Sequence, residues 1–178
     1  MNIPVFLSCP KPYLNRQEKF LNDVENSLDV HDLCPLTLGR SEYDMSAPLV
    51  AIRRMMAGCC GLIAIAFRRT QIIKAFDRPD SDRADPVVNR AEEWLTSPYC
   101  QIEPAMAFQI GLPMLVWREK GVAAEGVLDR GAIGISMPEF DLDSPPNLKD
   151  LQWRKPLRQW VDQVRTVYDN RGNPPKLW

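Results

Sequence analysis

Ser97-Pro98-Tyr99-Cys100-Gln101-Ile102-Glu103, followed by the apolar run at residues 105–116, is the stretch that decides the fold. Ser97 with Pro98 reads as an N-cap and first helical position, and Gly111-Leu112-Pro113 closes the helix ahead of a strand at residues 114–117. Packing alone gives little reason for the single carboxylate, Glu103, just past the turn. A helix that ends at Gly-x-Pro and feeds an apolar strand belongs to an α/β sheet, which places Glu103 near the edge where such sheets bind ligands.

Working outward, residues 3–8 form an apolar run bounded by prolines, as a fully buried first strand requires. Asn15 followed by Glu18 has the spacing of a capping box, and Phe20, Leu21, Val24 and Leu28 then share one helical face. Residues 33–38 predict a second strand, which Pro35 confines to an edge. Ser46 caps a helix whose apolar side carries Leu49, Ile52 and Met56. Residues 62–67 are continuous and apolar, as in a parallel strand covered on both faces.

The insertion at residues 68–96 is dense in charge and holds Pro79 and Pro86, and helix is expected over residues 87–95. Residues 131–137 predict a last short strand. Leu157, Trp160, Val161 and Val164 mark a C-terminal amphipathic helix, and the tail from residue 170 is too rich in Pro, Asn and Gly for regular structure. Strand alternating with helix five times predicts a single-domain α/β fold, a flavodoxin-like doubly wound five-stranded parallel sheet. Residues 1–140 form its core, and residues 141–178 add a linker, helix and tail.

The 178 residues are 45% hydrophobic and 25% charged, enough to bury a core without staples. A net charge of −1 argues against a nucleic-acid footprint. No apolar run is long enough to span a bilayer, and the N-terminus, despite Leu7-Ser8-Cys9, lacks the basic start of a lipoprotein signal. Five cysteines without C-x-x-C spacing and one histidine, His31, predict neither a disulfide framework nor a metal site. A reducing cytoplasm is the expected location.

These residues resemble a TIR (Toll/interleukin-1 receptor) domain. Val5-Phe6-Leu7-Ser8 is similar to that family's first box, an apolar strand ending Phe-apolar-Ser. Ser97-Pro98-Tyr99-Cys100-Gln101-Ile102-Glu103 is similar to its Ser-x-Trp-Cys-x-x-Glu motif, with Tyr99 in the aromatic place, and the following Gly-x-Pro and strand are also typical. The resemblance covers residues 3–137. It implies an enzyme that cleaves the nicotinamide–ribose bond of NAD, with NAD as substrate and no cofactor or metal, and Glu103 as catalytic residue. A carboxylate suits that chemistry, because nicotinamide leaves as a neutral ring without a general acid while positive charge grows on the ribose. The helix macrodipole also favours a glutamate near a helix start with no catalytic role. Pro104 departs from the pattern, since proline removes a backbone donor: the helix begins there or kinks there.

The resemblance further implies substrate contacts from Ser8, Cys9 and the rest of the loop at residues 9–13, from Phe67 and Arg68 after the third strand, and from Tyr99. Ser8 reads equally as a strand end, and Phe67 as core. Arg40 lies in the loop at residues 39–45, which the family uses for self-association. Trp94, Cys100 and the pair Cys59-Cys60 read as packing. A short chain of this kind is similar to the signalling enzymes of bacterial Thoeris antiphage defence, which make a cyclic or modified ADP-ribose that activates a separate effector protein. Two alternatives stay open. A nucleoside 2-deoxyribosyltransferase shares the fold and a glutamate at the same point but has Asp-Gly-Thr ahead of it; a non-catalytic TIR module would act by self-association alone.

Overall fold

The protein is described by a computed structural model that covers residues 2–42, 44, 45 and 47–170. β1 (Ile3–Ser8) buries Val5, Phe6 and Leu7, so it needs cover on both faces. α1 (Asn15–Asp29) turns Phe20, Leu21, Val24 and Leu28 to the core, but its start is one residue earlier than the Asn15/Glu18 spacing predicts. Leu14 occupies the N-cap, and Gln17 rather than Glu18 closes the box by accepting hydrogen bonds from the Tyr13 and Leu14 amides at 3.1 and 3.4 Å.

β2 (Leu33–Leu36) pairs with β1 alone and forms the sheet edge that Pro35 demands. It ends two residues early because Thr37 turns away, its hydroxyl donating to the Leu7 carbonyl at 3.0 Å and its amide to Ser41 Oγ at 2.8 Å. In α2 (Pro48–Ala57) the N-cap is Ala47, and Ser46 lies outside the described residues. The face it buries is Ala51, Ile52 and Met56; Leu49, expected on that face, is exposed because the helix is rotated to set the small Ala51 against the sheet. β3 (Leu62–Ala66) is buried throughout, at the centre of the sheet.

The insertion holds four short strands, β4 (Thr70–Ile72), β5 (Ala75–Asp77), β6 (Val88–Arg90) and β7 (Glu93–Leu95), paired antiparallel as β4 with β7 and β5 with β6. The helix expected over residues 87–95 is therefore absent. The helical period of Val87, Ala91 and Trp94 is overridden by pairing: as strands these residues satisfy their backbone against the chain that runs out, with Glu92 at φ 62° marking the break between the two pairs. Arg90 binds Glu93 at 2.7 Å and Glu125 at 3.1 Å, and Trp94 exchanges main-chain bonds with Gly121 and Ala123, so the arm is fastened to the body.

α3 (Tyr99–Gln109), β8 (Met114–Arg118), β9 (Ile135–Ser136) and α4 (Leu151–Asp169) complete the chain. The parallel sheet runs β2-β1-β3-β8-β9, the flavodoxin-like order. β9 is only two residues long because Gly131 and Gly134 take positive φ and delay pairing until Ile135. Alternating residues divide the core between the two faces. Val5, Leu7, Ile63, Ile65, Phe67 and Trp117 meet α1 and α4, while Phe6, Leu62, Ala64 and Ala66 meet α2 and α3. α4 supplies Trp153, Leu157, Trp160, Val161 and Val164, so it is part of this core and not an appendage. At Gly61 a Cβ would come within 2.6 Å of Val164, which is why the strand can pass so close to α4. Among the described residues no helix is long and apolar enough to cross a membrane.

Candidate active site

Order 2-1-3 puts the connections after β1 and β3 on opposite sides of the sheet, which opens a crevice at their carboxyl ends. A cavity of about 270 Å³ lies there. The end of β1 supplies Leu7 and Cys9, the next residues supply Pro10 and Lys11, and the turn after β2 supplies Thr37 and Leu38. α2 closes one side with Pro48 and Ile52, and the α3 start contributes Ser97, Tyr99 and Glu103.

α3 begins at Tyr99, one residue later than expected, with Pro98 as N-cap and Ser97 Oγ accepting from the Tyr99 amide at 3.3 Å. The first turn is complete before Pro104, and the helix continues through it to Gln109. Pro104 neither starts nor ends the helix; it removes one donor, leaving the Cys100 carbonyl without its helical partner. Cys100, Glu103, Pro104 and Ala107 form the inward face, so Glu103 is turned to the sheet edge by helical period.

Glu103 is 7% exposed, and burial pushes its carboxyl up to about 7. Among the described residues no cation acts on it to oppose that rise. The Ser8 hydroxyl stands near enough to lower it somewhat, yet no atom sits in hydrogen-bonding geometry with the buried Ser8 Oγ. A buried carboxyl faced by a serine hydroxyl and by no counter-ion among the described residues is an arrangement that folding alone disfavours. Cys9 and Cys100 flank the same point, and burial drives both thiols up to about 12, so neither is a nucleophile at neutral pH. Cys100, fully buried, is the packing residue its position predicts.

The structure thus brings Ser8, Cys9, Tyr99 and Glu103 together and separates Phe67 and Arg68 from them. Phe67 is fully buried, 6.1 Å from Phe20 and 5.9 Å from Phe140 between ring centroids, and cannot stack on a ligand. Its place directly after β3 explains why, since residues 63, 65 and 67 face α1 and α4 whereas α3 covers the other side. Arg68 is spent on the fold: its amide donates to Glu119 at 2.8 Å, its guanidinium donates to the Lys120 carbonyl at 2.6 Å, and it covers the Trp94 ring at 5.8 Å. Arg40 is likewise held on α1 by Glu18 at 2.8 Å and Glu25 at 3.1 Å.

Lys11 belongs to the loop at residues 9–13, expected where the substrate lies, and it lines the cavity. Thr37 was not singled out by sequence reasoning: nothing local marks it, and only the pairing of β1 with β2 sets the two strand ends side by side. A larger cavity of about 660 Å³, beside the starts of β8 and β9, is lined by no ionisable side chain among the described residues. Chemically, the Glu103 cavity offers an anion that exchanges its proton near neutrality, in a place dry enough for its charge to act strongly on a bound cation. The chain matches no protein-family model and no curated protein.

Proposed function

We propose that the protein cleaves the nicotinamide–ribose bond of NAD, with Glu103 as the catalytic carboxylate, and releases a cyclic or modified ADP-ribose that serves as a signal in antiphage defence. The observation that carries the reading is the buried Glu103 carboxyl without a cation, beside the unpartnered Ser8 hydroxyl, at the switch point of the sheet. The C1′–N bond breaks with its electron pair passing to the ring nitrogen, so nicotinamide leaves neutral and needs no proton. Ionised Glu103 stabilises the positive charge that develops on the ribose, and the cation is captured by water or by a nitrogen of the adenine. The cavity of about 270 Å³ suits the nicotinamide–ribose half, and Lys11 in its wall offers a cation to the pyrophosphate. On this reading self-association goes together with activity, and a separate effector protein is reached through the diffusible nucleotide product.

The test is product analysis by mass spectrometry with NAD, NADP and deoxynucleosides offered in parallel. Free nicotinamide with a cyclic or substituted ADP-ribose is the expected result. Base exchange on a deoxynucleoside, with NAD untouched, transfers the assignment to a 2-deoxyribosyltransferase in which Glu103 attacks the sugar directly, and no turnover of any of them leaves the self-associating module.

A further inference from the structure

Gln17 is only 1% exposed, in a helix face otherwise made of Phe20, Leu21, Val24 and Leu28, where an apolar side chain would pack without the cost of burying an amide. Every bond it makes goes to a loop at the carboxyl edge of the sheet. Its Oε1 accepts from the Tyr13 and Leu14 amides at 3.1 and 3.4 Å, and its Nε2 donates to the Arg68 carbonyl at 3.1 Å. The two segments so joined are the connections that leave β1 and β3, the two flanks of the crevice. Arg68 is held in turn by the buried carboxylate of Glu119, so the tie continues to the end of β8. Between Ser8 and Tyr13 the chain has two prolines, Pro10 and Pro12, which offer no amide for a main-chain anchor.

We propose that Gln17 is a positioning residue for the Glu103 cavity, locking the connection after β1 so that Cys9, Pro10 and Lys11 form its wall. This rests on reading that cavity as the substrate site. Two substitutions separate its parts. Gln17→Glu keeps an acceptor for the Tyr13 and Leu14 amides but sets an oxygen against the Arg68 carbonyl, whereas Gln17→Met fills the volume and makes neither bond.

The experiment is maleimide labelling of Cys9, which burial keeps protonated and slow to react in the wild type and which a freed loop exposes and speeds, with Cys34, half-buried in β2, as internal reference. Loss of two or three such hydrogen bonds frees the loop enough to speed Cys9 labelling about tenfold in Gln17→Met and less in Gln17→Glu. KM for NAD rises by a similar factor, while kcat changes less, because Glu103 stays on an undisturbed helix. Labelling needs no turnover, so it decides this role even for a chain that leaves NAD intact. Amide exchange of the wild-type chain reads the same tie without any substitution: the Tyr13 and Leu14 amides exchange as slowly as those of the α1 interior. An unchanged Cys9-to-Cys34 labelling ratio in the variants, or unprotected Tyr13 and Leu14 amides in the wild type, overturns the proposal.

Discussion

Two glutamates are buried at the carboxyl edge of this sheet, and they differ in what surrounds them. Glu119 is 2% exposed and Glu103 is 7% exposed, and burial raises the pKa of both. Glu119 has its compensation: the Arg68 amide at 2.8 Å and the Arg68 guanidinium at 3.8 Å hold the charged form and oppose the rise. Glu103 has only the Ser8 hydroxyl. A carboxylate kept for the fold is paired, because an unpaired buried charge costs several kcal/mol. One left without a counter-ion beside a cavity has its charge available to a ligand.

The largest expected effect separates the two by substitution. Glu103→Gln keeps shape and removes charge, and lowers the turnover of NAD by about a hundred- to a thousand-fold with binding little changed, measured by steady-state product formation. Wild-type turnover in that variant would make Glu103 an ordinary helix-start carboxylate and leave the self-association reading in its place.

The pH dependence sharpens the same contrast. Unfolded, Glu103 titrates near 4.5, and folded near 7. Between those values the folded state holds a proton that the unfolded state has released, so the contribution of this group to stability is full below about pH 4.5 and is lost as pH rises through about 7. The loss is at most about 3 kcal/mol at one pKa unit per 1.4 kcal/mol, and Glu103→Gln abolishes it, which denaturant unfolding at pH 5 and pH 8 detects. Activity moves the opposite way: kcat/KM rises through an apparent pKa near 7 as the carboxylate forms, and the limb in kcat lies lower because the cationic ring of bound NAD favours the anion. A flat profile across this range would detach the chemistry from Glu103.

Glu119→Leu gives the complementary result. It leaves the Arg68 amide buried without an acceptor and costs about 1–3 kcal/mol in equilibrium unfolding, with the pH limb of activity in place. A shifted limb would show that the two carboxylates act together. The smallest effect belongs to Arg40→Glu, which replaces two partly exposed ion pairs by like charges on α1 and costs about 1 kcal/mol. Oligomeric state by sedimentation is expected to be unchanged; its loss without a loss of stability would return Arg40 to an assembly role.

Comparing particular residues shows where the sequence was legible. Unbroken apolar runs placed β1 and β3, an amphipathic period placed α1 and α4, and the Ser-Pro and Gly-x-Pro boundaries placed α3 to within a residue, because these signals are local and agree with the packing. The paired strands of the insertion were missed: Val87, Ala91 and Trp94 carry a helical period, and the pairing of this stretch with residues 70–77 depends on chain 11 to 25 residues away. Ser8 and Phe67 make the sharpest case. Both end or follow a central strand, yet Phe6 shares the α2 and α3 face with the Ser8 position, whereas Phe67 follows Ile63 and Ile65 to the other side.

By itself the sequence determined the α/β order, the burial of the central strands and the presence of one carboxylate at a helix start, since each follows from composition and spacing along the chain. Tertiary structure alone decided that this carboxylate has no cation, that Arg68 and Arg40 are committed to the fold, and that Lys11, Thr37 and Gln17 meet around the crevice. Charge partners and cavity walls are set by which strand ends lie side by side, and a two-residue pleat turns neighbouring positions to opposite faces.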